Sequence, residues 1–214
     1  MKTILINASP RTTWNTAMLL KEAQKGAESV GAETEYVELY GLSFTGCRSC
    51  LACKRKGAER CKCYWKDDLS PLIERIFAAD AVIFGSPIYL NEPTAQFRAL
   101  FERLIFCALS YDGGGRTYFE GKVNAGMIYT MNCPQEHYDE IYVPAFRSLE
   151  QTLGTFLHGK ILSYGACGTL QVDDYSRYSM GRFDEAERKA RRETQFPLDR
   201  EACFRMGAEL SRAE

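Results

Sequence analysis

The sequence predicts an α/β protein, a five-stranded parallel sheet between two layers of helices. Three features carry that expectation. Short apolar runs recur along the 214 residues, stretches with helical periodicity fall between them, and most of the runs are continuously apolar, as strands buried on both faces must be.

Taken in order, Lys2 to Ala8 (KTILINA) is the first strand, stopped by Ser9-Pro10. Asn15-Thr16 can cap the helix that follows, whose apolar face is Ala17, Leu19, Leu20, Ala23 and Ala27 and which ends at Gly31. Glu33 to Leu39 is the second strand, with partial alternation. Asp67-Asp68 open a helix with the stripe Leu69, Leu72, Ile73, Ile76 and Phe77, acids in a first turn complementing the dipole. Ala81 to Gly85 (AVIFG) is the third strand. Thr94 to Leu109 is a helix apolar enough to be deeply buried or shared with a subunit partner. A glycine-rich connection (111 to 121) precedes the fourth strand, Val123 to Thr130; a helix over 138 to 157 and a fifth strand, Ile161 to Ala166, follow. The tail from about Asp184 to Arg212 is charged and helical, interrupted near Pro197. No repeat or linker divides the chain, so residues 1–214 read as one domain.

Composition narrows the function. Lysine and arginine number 27 against 28 acidic residues, so no global basic field draws nucleic acid or an anionic membrane. No apolar run approaches the ~20 residues of a membrane span, and MKTILINASP lacks the apolar core and cleavage site of a signal peptide, which points to the cytoplasm. In that reducing compartment nine cysteines are a poor disulfide framework.

Five of the nine fall within residues 47–63, inside the loop 43–68. Cys47, Cys50 and Cys53 keep a Cys-x-x-Cys-x-x-Cys spacing, and Cys61 and Cys63 return after a basic, glycine-containing insertion. A triplet on a tight loop can reach three corners of an iron-sulfur cube, and a fourth thiolate can close it. Zinc, which more often takes two separated pairs, and a set of free reduced thiols are the competing readings. Cys107, Cys133, Cys167 and Cys203 stand apart as small core or surface residues.

Open parallel sheets bind ligands at the carboxyl ends of their strands, where strand order reverses. In the flavodoxin-like order 2-1-3-4-5 that point lies between strands 1 and 3, which carry the two most distinctive loops, SPRTTWNT (9–16) and GSPIYLNEP (85–93). Ser9, Arg11, Thr12, Thr13, Asn15 and Thr16 at a helix start suit an anion, although the same residues make ordinary helix caps. Neither a G-x-G-x-x-G nor a G-x-x-x-x-G-K-[ST] pattern is present, so a terminal phosphate suits the loop better than a dinucleotide or a nucleoside triphosphate. Pro87 to Asn91 could lie against a planar ring, or simply connect a strand to a helix.

The segments INASPRTTWNTAML, C-x-x-C-x-x-C, KDDL and AVIFGSPIYLNEPTAQFRALFER together resemble the flavodoxin-like NADPH-dependent FMN reductase superfamily, and the cysteine triplet resembles its iron-sulfur flavoprotein branch. The likeness is close over the first half and extends in element order to QVDDY at 171–175. It implies that Ser9, Arg11, Thr13, Asn15 and Thr16 hold the FMN phosphate and that Pro87, Ile88, Tyr89, Leu90 and Asn91 border the isoalloxazine. Cys47, Cys50 and Cys53, with Cys61 or Cys63, would hold a [4Fe-4S] cluster near the flavin at a subunit interface. Cys63 keeps the family's distance to Asp67-Asp68; Cys61 gives the shorter gap after Cys53. Trp14 departs from the glycine common before Asn-Thr, so it reshapes the phosphate loop or shields the flavin.

The function expected is an oxidoreductase relaying electrons between a cluster and FMN, fed by a ferredoxin-like carrier or NAD(P)H, in a homodimer or homotetramer. Its rivals are a cluster-free NAD(P)H-dependent FMN or quinone reductase and a non-enzymatic metal or redox sensor. Smaller features read as structure: His137 and His158 as surface or packing residues, Asp173-Asp174 as a turn, Tyr64-Trp65 as packing or a cluster cover, and Arg188 to Arg192 (RKARR) as a solvated helix face or a dock for an acidic carrier.

Overall fold

The structure, a computed structural model, describes residues 1–213. Five parallel strands form the sheet expected: β1 (Lys2–Asn7), β2 (Glu33–Glu38), β3 (Ala81–Tyr89), β5 (Val123–Thr130) and β6 (His158–Ala166), in the order β2-β1-β3-β5-β6. A two-residue strand, β4 (Glu92–Pro93), folds back antiparallel on the end of β3. The helices are α1 (Asn15–Ser29), α2 (Leu69–Phe77), α3 (Ala95–Ala108), the single turn α4 (Gln135–His137), α5 (Val143–Leu157), α6 (Glu185–Thr194) and α7 (Phe196–Leu210). A π-helical turn, Tyr138–Tyr142, joins α4 to α5.

The central runs are buried on both faces, as their composition demands: β5 is buried at all eight positions, whereas the edge strands β2 and β6 keep one buried residue each. One face packs Ile4, Ile6, Val82, Phe84, Met127 and Tyr129 under α2, α3 and α5. The other packs Leu5, Ile83 and Ile128 under α1 and α7. Those two helices meet at glycines, where a Cβ on Gly26 would fall 1.9 Å from the Phe204 carbonyl oxygen and one on Gly207 1.9 Å from that of Ala23. Backbones can approach this closely only where side chains are absent.

Several boundaries differ from expectation for identifiable reasons. The third strand passes Gly85 and Ser86-Pro87 because Gly85, Ser86 and Pro87 pair with Ile128, Tyr129 and Thr130; proline costs the ladder one donor but keeps an extended backbone. α1 is not capped by Asn15-Thr16, which lie inside its first turn; Trp14 takes the cap position and no side chain caps it. Asp67 does start α2, accepting from Leu69 N (3.1 Å) and Ser70 N (3.3 Å). The tail does break near Pro197, at Gln195; the proline itself sits in the first turn of α7, where it is tolerated. Arg188 and Arg191 of the RKARR segment are turned inward, their side chains 12% and 17% exposed, and Arg191 pairs with Asp199 at 2.9 Å. Among the described residues no helix is long and apolar enough to cross a membrane.

Candidate functional site

The carboxyl ends of β1, β3 and β5 open onto a cleft enclosing about 700 Å³, mouth included, within the about 300–1,000 Å³ of small-molecule sites. Ser9, Arg11, Asn15 and Thr16 line one side, and Pro87, Ile88 and Tyr89 line another. Thr13 is exposed and stands outside this lining, as do Leu90, 98% exposed, and Asn91, whose Oδ1 accepts from the Tyr142 hydroxyl at 2.7 Å. Leu90 and Asn91 turn the β3–β4 hairpin with positive φ (49° and 72°).

The polar side chains of the first loop divide by what they already hold. Thr16 shares a 2.7 Å hydrogen bond with Thr130 across the floor. Asn15 is a strut: its Nδ2 donates to Leu170 O (2.7 Å) and its Oδ1 accepts from Arg192 (2.8 Å). The Ser9 hydroxyl accepts from Arg11 N at 3.1 Å, and the Arg11 guanidinium donates to Gln171 O. Trp14 also faces the cleft, donating its indole N–H to Leu170 O (3.0 Å) and packing on Leu170, Val172 and Tyr175. That tryptophan fastens the segment around Leu170 over the loop.

The far wall escapes the sequence reading. It consists of Thr130, Met131, Asn132, Thr169, Gln171 and Met180. Among the described residues Asn132 Nδ2 and Oδ1 and Gln171 Oε1 are buried without a hydrogen-bond partner. Such groups are costly unless a ligand completes them, so they are what a polar heterocycle's site would leave open. QVDDY was the one signal that could have led to Gln171.

A second cavity of about 380 Å³ lies in the cysteine loop. Cys47, Cys50, Cys53 and Cys63 line it together with Cys107 of α3; Cys61 does not. Cys47 and Cys50 are exposed and Cys53 is buried. Among the described residues no group of three or more ligands converges on a single metal ion. Burial pushes the Cys61 thiol up to about 11 and outweighs the pull of nearby Lys54. Cys53, whose neighbours include Cys63 and Cys50, is also pushed up, first by burial.

Arg103 of α3 binds this loop together. Its side chain is 1% exposed and forms an ion pair with Asp67, while Nη2 donates to Cys63 Sγ (3.2 Å), Asp67 Oδ1 (2.9 Å) and Ser70 Oγ (2.8 Å), and Nη1 donates to Thr45 O (3.1 Å). Burial alone would raise the Asp67 carboxyl, but the Arg103 hydrogen bonds and charge outweigh it and hold the group below the usual carboxylate range. Arg48 stacks over Trp65 at 4.4 Å, and Lys54 donates to Phe106 O and Leu109 O at the end of α3. His158 meets Gly121 O (3.1 Å) and His137 packs edge-on to Tyr142, neither in a cavity described above.

A flavodoxin-like sheet with a polar, half-open cleft at its strand-order reversal defines a flavin-binding α/β oxidoreductase. The sequence model of NADPH-dependent FMN reductases matches residues 1–136, well over half the chain. The chain belongs to the NADPH-dependent FMN reductase family, in its iron-sulfur flavoprotein branch, and its cofactor is FMN. An iron-sulfur flavoprotein of Methanocaldococcus jannaschii is 30% identical over 159 residues, 64% of this chain and 80% of that one. One from Methanosarcina thermophila is 31% identical over 136 residues, 61% of this chain and 69% of the relative, and one from Archaeoglobus fulgidus is 32% identical over 128 residues, covering 54% of the relative. Among solved structures, the NAD(P)H:quinone oxidoreductase of Methanothermobacter marburgensis superposes with a TM-score of 0.74 over all of this chain and 98% of that one, at 17% identity. An azoreductase of Bacillus anthracis gives 0.66 over 98% and 99% of the two chains at 12% identity; both likenesses speak to the fold.

Proposed function

We propose that this flavin-dependent oxidoreductase relays electrons between a [4Fe-4S] cluster held by Cys47, Cys50, Cys53 and Cys63 and FMN held in the cleft. The observation that carries the reading is the shared cavity: those four thiols border it, and Arg103 donates to the fourth, Cys63. A buried guanidinium can hydrogen-bond a cluster-ligating sulfur and balance its charge, and Cys61 lies outside the cavity, which also supports Cys63 over Cys61. When bound, FMN exchanges one or two electrons and the cluster one, so together they match a one-electron carrier to a two-electron acceptor.

The protein's own residues do the rest. Arg11, Ser9 and the uncapped first turn of α1 bind the phosphate, with Thr16 at the cleft floor; Asn15 positions that turn by holding Leu170 and Arg192. Pro87, Ile88 and Tyr89 lie along one face of the ring, and Asn132 and Gln171 take its polar edge. Leu90 and Asn91 shape the hairpin that carries Tyr89.

The loop also suits an acidic one-electron carrier of the ferredoxin kind. Residues 43–68 carry seven lysines and arginines against three acids, whereas the remainder of the chain carries 20 against 25. Arg48, Arg55, Lys56, Arg60 and Lys66 are exposed around the apolar Leu51 and Trp65. Such a rim steers an oppositely charged partner.

Iron, acid-labile sulfide and FMN per chain, measured on protein purified without oxygen, test the relay. About four of each inorganic component per FMN is the expected result. FMN with negligible iron sinks the relay and leaves an NAD(P)H-dependent FMN or quinone reductase.

A further inference from the structure

A second pair of thiols adjoins the cleft. Cys133 lies three residues past the end of β5 and Cys167 one past the end of β6. The two chain segments stay paired beyond their strands: Met131 N donates to Ala166 O (3.0 Å), Gly168 N to Cys133 O (2.8 Å) and Thr169 N to Met131 O (3.0 Å). The Gly168 N to Cys133 O bond joins the peptide that follows Cys167 to the carbonyl of Cys133, so the two cysteine backbones are direct neighbours, the precondition for a bridge whose Cα atoms must lie about 4.4–6.8 Å apart.

Cys167 is 3% exposed and its thiol donates to Gly165 O at 3.8 Å; half-buried Cys133 is close enough to bear on its charge. Met131, Asn132 and Thr169, which flank the pair in sequence, all line the flavin cleft. The inward-turned cations of α6 cover the same turn. Arg188 Nη2 approaches Asn132 O at 3.5 Å, and a Cβ on Gly168, which has φ +57°, would come within 3.0 Å of Arg188 Nη1 and 3.2 Å of Arg191 Cδ.

The two thiols are unequal. Burial pushes both up, Cys167 to about 12, while the Arg188 charge works against that rise at Cys133. Cys133 is also the more exposed of the two, so it is the thiol that exchange reaches first.

We propose that Cys133 and Cys167 form a reversible disulfide that exchanges an electron pair with the flavin in the adjoining cleft. On oxidation of the pair two S–H bonds break and one S–S bond forms; the two electrons and two protons pass to oxidised FMN, giving its dihydro form, and the reverse step reopens the bridge. The chain thus carries a two-electron store that is separate from the cysteine loop. The proposal rests on FMN occupying the cleft and is independent of any cluster.

Trypsin gives the test a direct readout, because residues 123–147 and 161–177 are single fragments holding Cys133 and Cys167 as their only cysteines. Flavin-loaded protein is reduced, freed of reductant, equilibrated without oxygen in glutathione buffers of rising potential, alkylated and digested. The expected product is the linked pair of fragments, two hydrogens lighter than their sum, and it disappears in Cys133→Ser and in Cys167→Ser. Dithionite added to the bridged protein should then remove the linked pair when FMN is bound and leave it in protein stripped of FMN. Alkylated, unlinked fragments across the whole series overturn the disulfide, and reduction at equal rates with and without FMN overturns the coupling to flavin. Protein that takes up no FMN overturns the cleft reading and this proposal with it, whereas flavin-loaded protein with unlinked thiols overturns this proposal alone.

Discussion

The flavin cleft and the cysteine loop are built by opposite means. Much of the cleft sits at strand ends or in the first turn of α1, and Ser9, Asn15, Thr16 and Thr130 are each no more than 5% exposed. Those positions follow from the parallel ladder and the helix it feeds. The loop 43–68 has a single three-residue helical turn, Ala52–Lys54, and is tied down chiefly by one guanidinium that reaches Thr45, Cys63, Asp67 and Ser70, with Lys54 bonding the end of α3. A site on strand ends distributes its support, whereas a site on a loop can depend on one residue.

That contrast can be broken most directly at the thiols. Cys63→Ser is expected to drop iron from about four per chain to nearly none, and Cys61→Ser to leave it unchanged, by metal analysis of oxygen-free protein; the opposite pattern would move the fourth ligand to Cys61. Arg103→Met removes one partner of a buried ion pair and leaves Asp67 alone, so the urea midpoint should report a loss of about 3–5 kcal/mol. A loss under about 1 kcal/mol would mean that the loop has other supports. In the cleft, Arg11→Gln should weaken FMN about 10- to 100-fold in a fluorescence titration with the fold intact, the worth of one charged hydrogen bond. Thr13→Ala, outside the lining, should shift the same titration less than about twofold, inside the ordinary scatter of surface substitutions.

One further expected effect is acidic. The Asp67 carboxyl titrates lower folded than unfolded, so its contribution is present above the unfolded value and is lost as pH falls through the folded one. The stability gap between the parent and Arg103→Gln should therefore hold steady down to about pH 4 and close below it in urea melts at stepped pH. A gap that persists undiminished to pH 2 would show that Asp67 is not the partner that matters.

The two regions also differ in how much of them the residues announce. Apolar runs gave the parallel strands, because a strand buried on both faces leaves little room for polar positions; their order came from the flavodoxin-like resemblance. The cysteine triplet announced the loop for a similar reason: thiols at fixed spacing are a local pattern. Asn132 and Met180 were silent and Gln171 was marked only by the QVDDY likeness, since the cleft wall they form comes from irregular chain brought in by tertiary contacts. Arg103 was silent because its partner Asp67 lies 36 residues earlier and the arginine looks like any other in an amphipathic helix. The RKARR run misled through composition, since burial of Arg188 and Arg191 is decided by what α6 packs on.

The glycine-mediated contact between α1 and α7 has a consequence for biosynthesis. Leu5, Ile83 and Ile128 share one apolar face of the sheet, and Met206 and Leu210 supply part of its cover. At about 5–20 residues per second, the chain between Ile128 and Leu210 takes about 4–16 s to translate. Through that interval the nascent sheet shows a bare hydrophobic stripe beside α1. The protein is thus most exposed to misassociation while its ribosome is still working, and a fragment ending near residue 136 would remain in that state.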